Sequence, residues 1–212
     1  MSKSVHKYSK KEEFLNIYSH GFGLILSLIS LPFLWLKAMD YESFTQSASF
    51  VIFGLSMIIL YAASTFYHAA KDPKKRRILN IVDHAAIYVL IAGTYTPFTL
   101  VSLSGSTGNT IFFITWGLAL IGIILKLFFT GRFDKLSTLM YVLMGWQIVF
   151  AIEPLTEQLA TNGIFWLFTG GVFYTVGAVL YAIKKIPYNH AIFHLFVLLG
   201  TCSHFIAVYW YC

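Results

Sequence analysis

Seven runs of apolar residues, each closed by a short polar segment, follow one another along the chain at about 14–37, 47–69, 79–102, 110–129, 136–152, 164–183 and 189–211. A helix needs roughly 20 mostly apolar residues to cross ~30 Å of hydrocarbon, and these runs are of that order. In lipid every backbone N–H and C=O must find a partner within its own segment, so the pattern predicts seven transmembrane helices and an all-α fold. The fifth run is the shortest. Leu139 to Ile152 is apolar apart from Gln147, and Glu153-Pro154 supplies a charge and a helix stop. A count of six helices follows only if this run stays out of the membrane. Pro32, Pro97 and the Gly170-Gly171 pair fall inside predicted spans, where they favour kinks or close helix approach.

Composition sharpens this picture. The chain has 212 residues, of which 58% are hydrophobic and 11% charged, the balance of an integral membrane protein. Seven spans leave no room for a soluble domain, so residues 1–212 are expected to form a single membrane domain. The first run follows a basic tail, as a signal peptide does. It is nevertheless much longer than the ~7–15 residues of a signal core and lacks a small-residue cleavage site, so it reads as a retained helix. Cys202 and Cys212 are ten residues apart on the last predicted helix, about 15 Å by helical rise, too far to pair with each other.

The formal charge of +6 does not point to nucleic acid, because the basic residues sit in tails and short segments beside apolar runs. Lys and Arg number four in the N-terminal tail, five in Lys71 to Arg77, three from Lys126 to Lys135 and two at Lys184-Lys185, against Lys37 alone on the other side. The positive-inside rule then predicts a cytoplasmic N-terminus, a C-terminus outside, and an aromatic anchor at Tyr209, Trp210 and Tyr211. A multi-pass protein of the plasma membrane is the expectation. The Lys71 to Arg77 run also suits anionic lipid head groups, although topology alone accounts for it.

Against this apolar background the ionisable groups stand out, since each is costly in lipid and by default marks a site. Ser64 and His68 end the second span, Asp83 opens the third, and His190 and His194 open the seventh. Parity places those three helix ends in one leaflet whichever way the chain inserts. Ser64 and His68 are four residues apart, as are His190 and His194, so each pair projects from one helix face. Three neutral imidazoles suit Zn²⁺ with a fourth position left for water. Asp83 is able to bind the metal directly or to hold its water and accept a proton, the role preferred here, with Ser64 as a hydrogen-bond partner. The plainer alternatives are interhelical hydrogen bonds for the histidines, an interfacial ion pair with Lys74 to Arg77 for Asp83, and a bond to the preceding helical turn for Ser64.

Glu13, Asn16 and His20 share one face of the first helix in the same leaflet, and supporting or packing roles are expected of them rather than direct ligation. His204 lies fourteen residues beyond His190, about 21 Å along the helix, so it is excluded from the metal site and read as a hydrogen-bonder within the bundle. His84 is turned about 100° from Asp83 around their helix and is also set aside.

The segments Glu13-x-x-Asn16-x-x-x-His20, Ser64-Thr-Phe-Tyr-His68, Asp83-His84 and His190-Ala-Ile-Phe-His194 resemble those of the hemolysin III branch of the progestin and adipoQ receptor family. That family belongs to a wider group of membrane-embedded hydrolases that includes alkaline ceramidases. The resemblance covers nearly the whole chain. It implies a seven-helix bundle with a cytoplasmic N-terminus and a zinc held at His68, His190 and His194, with Asp83 reaching the metal through water and Ser64 nearby. The chain lacks the long N-terminal region of the eukaryotic receptors, which removes any inference about hormones or adaptor proteins.

The expected function is therefore a zinc-dependent hydrolase acting on an amide bond of a membrane lipid, with an N-acylated lipid as substrate. One alternative is a cytolysin acting by pore formation, and another is a receptor-like protein or transporter with structural zinc. A pore former secreted in soluble form fits a polytopic chain poorly, and transporters place their ionisable groups near the midplane. Nothing in the sequence specifies the acyl chain, the head group or an oligomeric state.

Overall fold

The structure, a computed structural model, describes residues 8–103 and 105–212. The described residues contain seven spans long and apolar enough to cross a membrane, and no strand. The helices are α1 (Lys10–Ala38), α2 (Phe44–Ala69), α3 (Pro73–Pro97), α4 (Ser106–Phe129), α5 (Asp134–Trp146), the short α6 (Ile152–Gln158), α7 (Thr161–Ala182) and α8 (Asn189–Tyr211). α5 and α6 together make the fifth span.

Two helices begin well before their apolar runs, because capping chemistry rather than hydropathy starts them. Ser9 accepts the Glu12 N–H at 3.2 Å, and Glu12 and Glu13 complement the dipole in the first turn of α1. Asp72 accepts the Lys75 N–H at 2.8 Å ahead of Pro73 at the first position of α3. The cluster from Lys74 to Arg77, expected in a loop, is therefore helical. Glu13 lies in the first turn of α1, on the first helix as expected, facing the ends of α2 and α3.

The fifth span corrects an expectation. Glu153-Pro154 does not end it: the α-helical ladder breaks earlier, into a 3₁₀ segment at Gln147–Ala151, and Pro154 sits in the first turn of α6, where its missing N–H is harmless. Pro97 has a comparable effect on the third span. The ladder widens just after it to a π-helical turn at Phe98–Ser102, closed by Leu103 N–H donating to the Phe98 carbonyl at 2.8 Å.

α1 and α3 pack on either side of α2, α8 packs against α1 and α7, and α4 and α5 lean on α3. Leu34, Phe50, Phe53, Met57, Tyr61, Ala207 and Val208 form much of the central core. Outward faces carry large apolar side chains such as Phe113, Phe128, Phe150 and Trp35, the surface expected toward acyl chains. Small residues set the closest approach between helices. A Cβ on Gly93 would overlap the Ser56 side chain, so α2 and α3 meet there only because position 93 is bare. Cys202 and Cys212 are both free thiols, as their spacing required.

Candidate metal centre

The last turn of α2 and the first turns of α8 meet at the bundle end that carries the basic segments. There the Nε2 atoms of His68 and His190 lie 3.1 Å apart and those of His190 and His194 3.0 Å apart. The ligand atoms of all three rings fall within 4.8 Å of one another, and the side chains are buried. Such a cluster can bind a metal ion.

The outward nitrogens show which lone pairs are free. His68 Nδ1 lies 2.7 Å from a Glu13 carboxylate oxygen, and a carboxylate only accepts, so Nδ1 carries the proton and Nε2 keeps its lone pair. Ser19 Oγ donates to the Asn16 carbonyl at 3.2 Å, so it accepts from His194 Nδ1 at 3.3 Å and leaves that Nε2 free as well. His190 Nδ1 is buried with no partner. Converging lone pairs repel one another, and a cation between them removes the repulsion. The donor set therefore fits a metal such as Zn²⁺.

The flanking residues that sequence spacing brought to this face do gather around the cluster. Glu13 bridges His68 and Arg76, and Asn16 places its amide 3.3 Å from His68 Nδ1. His20 does not face the ligand atoms. It stacks on His194 with centroids 3.5 Å apart and planes 9° apart, and neither of its ring nitrogens has a partner. Asp83 and Ser64 line the same cavity as His190 and His194. Asp83 is buried, and beside it the buried Ser64 Oγ makes no hydrogen bond. The plain reading of Asp83 as a partner of the basic cluster does not hold, because it is Glu13 that pairs with Arg76. His84 is not one of the clustered histidines, but it lines the same cavity: its Nδ1 lies 2.8 Å from the Asn80 carbonyl and 3.9 Å from Asp83 Oδ2.

Four residues were missed by reasoning from the sequence. Arg76 passed for a topology charge, yet its guanidinium holds Glu13, donates to the Tyr67, His68 and Ala70 carbonyls at 3.3–3.4 Å, and lies 4.7 Å over the Tyr67 ring. It thereby caps α2 at the turn that bears His68. Tyr8 stacks on His190 at 4.7 Å and lies 5.6 Å from His68, covering the cluster from the N-terminal tail. Burial there raises the Tyr8 phenol above its usual pKa. Ser19 escaped notice as an ordinary helix serine. Lys126, counted as a loop charge, is 3% exposed on α4 and lines the cavity; its place inside an apolar run was the available signal.

The cavity has a volume of about 130 Å³ and runs inward from Asp83 and the histidines past Tyr95 and Tyr174 to His204. His204 keeps out of the cluster, as its distance required, and its Nε2 donates to the Leu167 carbonyl at 3.0 Å.

Fold and site together define a multi-pass membrane protein with a buried three-histidine centre at one end of a seven-helix bundle. A family model described as "Haemolysin-III related" matches residues 8–205, and the chain belongs to that family. It is 48% identical to "Hemolysin-3 homolog" of Bacillus subtilis (strain 168), over 97% of this chain and 96% of that one. It is 47% identical to "Hemolysin-3" of Bacillus cereus, over 95% and 92%. "Monocyte to macrophage differentiation factor" of Homo sapiens is a more distant relative, 25% identical over 94% of this chain and 84% of its own length. No solved structure matches the chain.

Proposed function

We propose that the protein is a zinc-dependent hydrolase of lipid amide bonds in the plasma membrane, with its centre near the cytoplasmic face and an N-acylated lipid as substrate. The observation that carries this reading is the convergence of the Nε2 atoms of His68, His190 and His194 beside a cavity whose wall also bears the buried Asp83 carboxylate and the Ser64 hydroxyl. A zinc ion held by His68, His190 and His194 supplies Lewis acidity and lowers the pKa of water. The chain supplies the remainder. Glu13 and Ser19 fix the His68 and His194 tautomers, and Asp83, on the wall of the same cavity, takes a proton from water in this reading and returns it to the departing amine. Ser64 Oγ, beside Asp83, is a free hydrogen-bonding group for the oxygen on which charge develops. The apolar cavity wall suits an acyl chain entering sideways from lipid. The basic segments at this end support its assignment to the cytoplasmic side.

The test is to purify the protein, measure bound zinc, and assay fatty-acid release from several classes of N-acylated lipid. Stoichiometric zinc with no turnover on any class would sink the hydrolase and leave zinc a structural role. The names of the two bacillary relatives favour a second reading, lysis of target membranes. Dye release from liposomes that persists after zinc is stripped would support lysis over hydrolysis.

A further inference from the structure

The inner end of the cavity has a chemistry of its own. His204 is 8% exposed and lines both the main cavity and a recess of about 20 Å³ that it shares with Thr94, Tyr95 and Gly171. The recess is the size of one water molecule or one hydroxyl group. The Cδ2–Nε2 edge of the His204 ring lies against the bare backbone of Gly170, where a Cβ would overlap it. Its Nε2 proton goes to the Leu167 carbonyl at 3.0 Å, so the opposite nitrogen, Nδ1, is an acceptor, and it is buried without a partner.

The neighbouring donors are already used. Thr201 Oγ1 gives its proton to the Val197 carbonyl at 3.0 Å and receives those of Tyr61 at 2.8 Å and Tyr174 at 2.7 Å. Tyr95 donates to the Gly145 carbonyl at 2.9 Å, and Trp146 Nε1 donates to Thr175 Oγ1 at 2.8 Å. This end of the cavity therefore offers acceptors, His204 Nδ1 and the Tyr174 oxygen, together with the Thr94 hydroxyl. A group that donates one hydrogen bond and accepts another fits; a carbonyl or a carboxylate does not. His204 lies ten residues inward from His194 on α8, about 15 Å by helical rise.

We infer that this recess is a second binding pole, which recognises a hydroxyl group carried on the chain of the bound lipid about 15 Å from the group held at the histidine cluster. This rests on the reading of the cavity as an acyl-chain site. It adds a preference for hydroxylated over plain chains.

The experiment is equilibrium dialysis of the purified, zinc-loaded wild type against octadecanoic acid and its 10-, 12- and 14-hydroxy derivatives. His204→Phe and Thr94→Val are run alongside, and thermal unfolding in detergent checks their folding. Wild type is expected to bind one hydroxy acid about tenfold more tightly than octadecanoic acid, the scale of satisfying one buried acceptor. Thr94→Val and His204→Phe are expected to lose that preference, so that each variant binds the four acids alike. Equal binding of all four acids by wild type overturns the inference, leaves the recess a water site, and leaves the acyl-chain reading standing. A preference that survives in both variants also overturns it, because the hydroxyl is then recognised elsewhere. Failure of folded wild type to bind any of the acids removes the acyl-chain reading and this inference together.

Discussion

Polar side chains occur at both ends of the bundle and along its middle, but they are in two different conditions. Away from the histidine cluster, His204 apart, the buried ones among the described residues are satisfied. Trp116 Nε1 donates to Thr96 Oγ1 at 3.1 Å, Thr96 to the Ala92 carbonyl at 2.7 Å, and Tyr41 to the Cys212 carbonyl at 2.6 Å. These bonds join helices or return a hydroxyl to its own backbone, which is how lipid-embedded helices spend polar groups. Around the cluster valences are left open. Asn16 Oδ1, both nitrogens of His20, Ser64 Oγ and His190 Nδ1 are buried without partners, and inward of them only His204 Nδ1 joins the set among the described residues. An unsatisfied buried polar atom costs about 1–3 kcal/mol. Four of the five residues bearing such atoms line one cavity, which marks a place arranged for something other than packing. Hydrogen-bond satisfaction thus separates helix glue from a site where residue type alone does not.

The contrast breaks most easily at its strongest point. Replacing His194 with Ala should abolish zinc binding, so that metal analysis of the purified variant falls from about one ion per chain to background, as expected when a three-ligand set loses one member. Full zinc occupancy in that variant would mean that the cluster is glue after all. Next in size is Asp83→Asn. It should retain zinc and lose about 10²–10⁴-fold in lipid-amide turnover, the usual scale of general acid–base catalysis. Loss of zinc along with turnover would reassign Asp83 to ligation.

A smaller effect tests the outward partner of a ligand. Glu13→Gln cannot hold the His68 Nδ1 proton as a carboxylate does, and zinc affinity read by chelator competition should weaken about 10–100-fold. An unchanged affinity would confine Glu13 to its pairing with Arg76. The smallest effect belongs to the satisfied region. Thr96→Val removes the acceptor of Trp116 Nε1 and should cost about 1 kcal/mol of stability in detergent, with zinc content unaltered. A zinc defect there would erase the distinction between the two regions.

Much of this was legible in the chain. The seventh span matches its apolar run, Asn189–Tyr211, because a polar loop bounds its start sharply. The four-residue spacing of His190 and His194, together with helix parity, pointed to the cluster they form with His68. Reading failed where the deciding contact joins different helices. Nothing about Arg76 in a run of bases distinguishes it from Lys75 or Arg77 until the end of α2 and the start of α1 are beside it. Tyr8 and Ser19 are likewise ordinary until His190 and His194 arrive. His204 lies outside the histidine cluster, as its distance required, but distance along one helix cannot say that a single cavity reaches both.

The sequence by itself determined that this is a seven-span membrane bundle and that Ser64, His68, Asp83, His190 and His194 share one end of it. Hydrocarbon imposes both: it demands runs of about 20 apolar residues and penalises every charge left inside them. Tertiary structure alone decided which of those residues face one another, which nitrogens keep a free lone pair, and how far the cavity extends. Those outcomes depend on helix rotation and on sub-ångström approach at small residues such as Gly93 and Gly170, quantities that apolar periodicity leaves open.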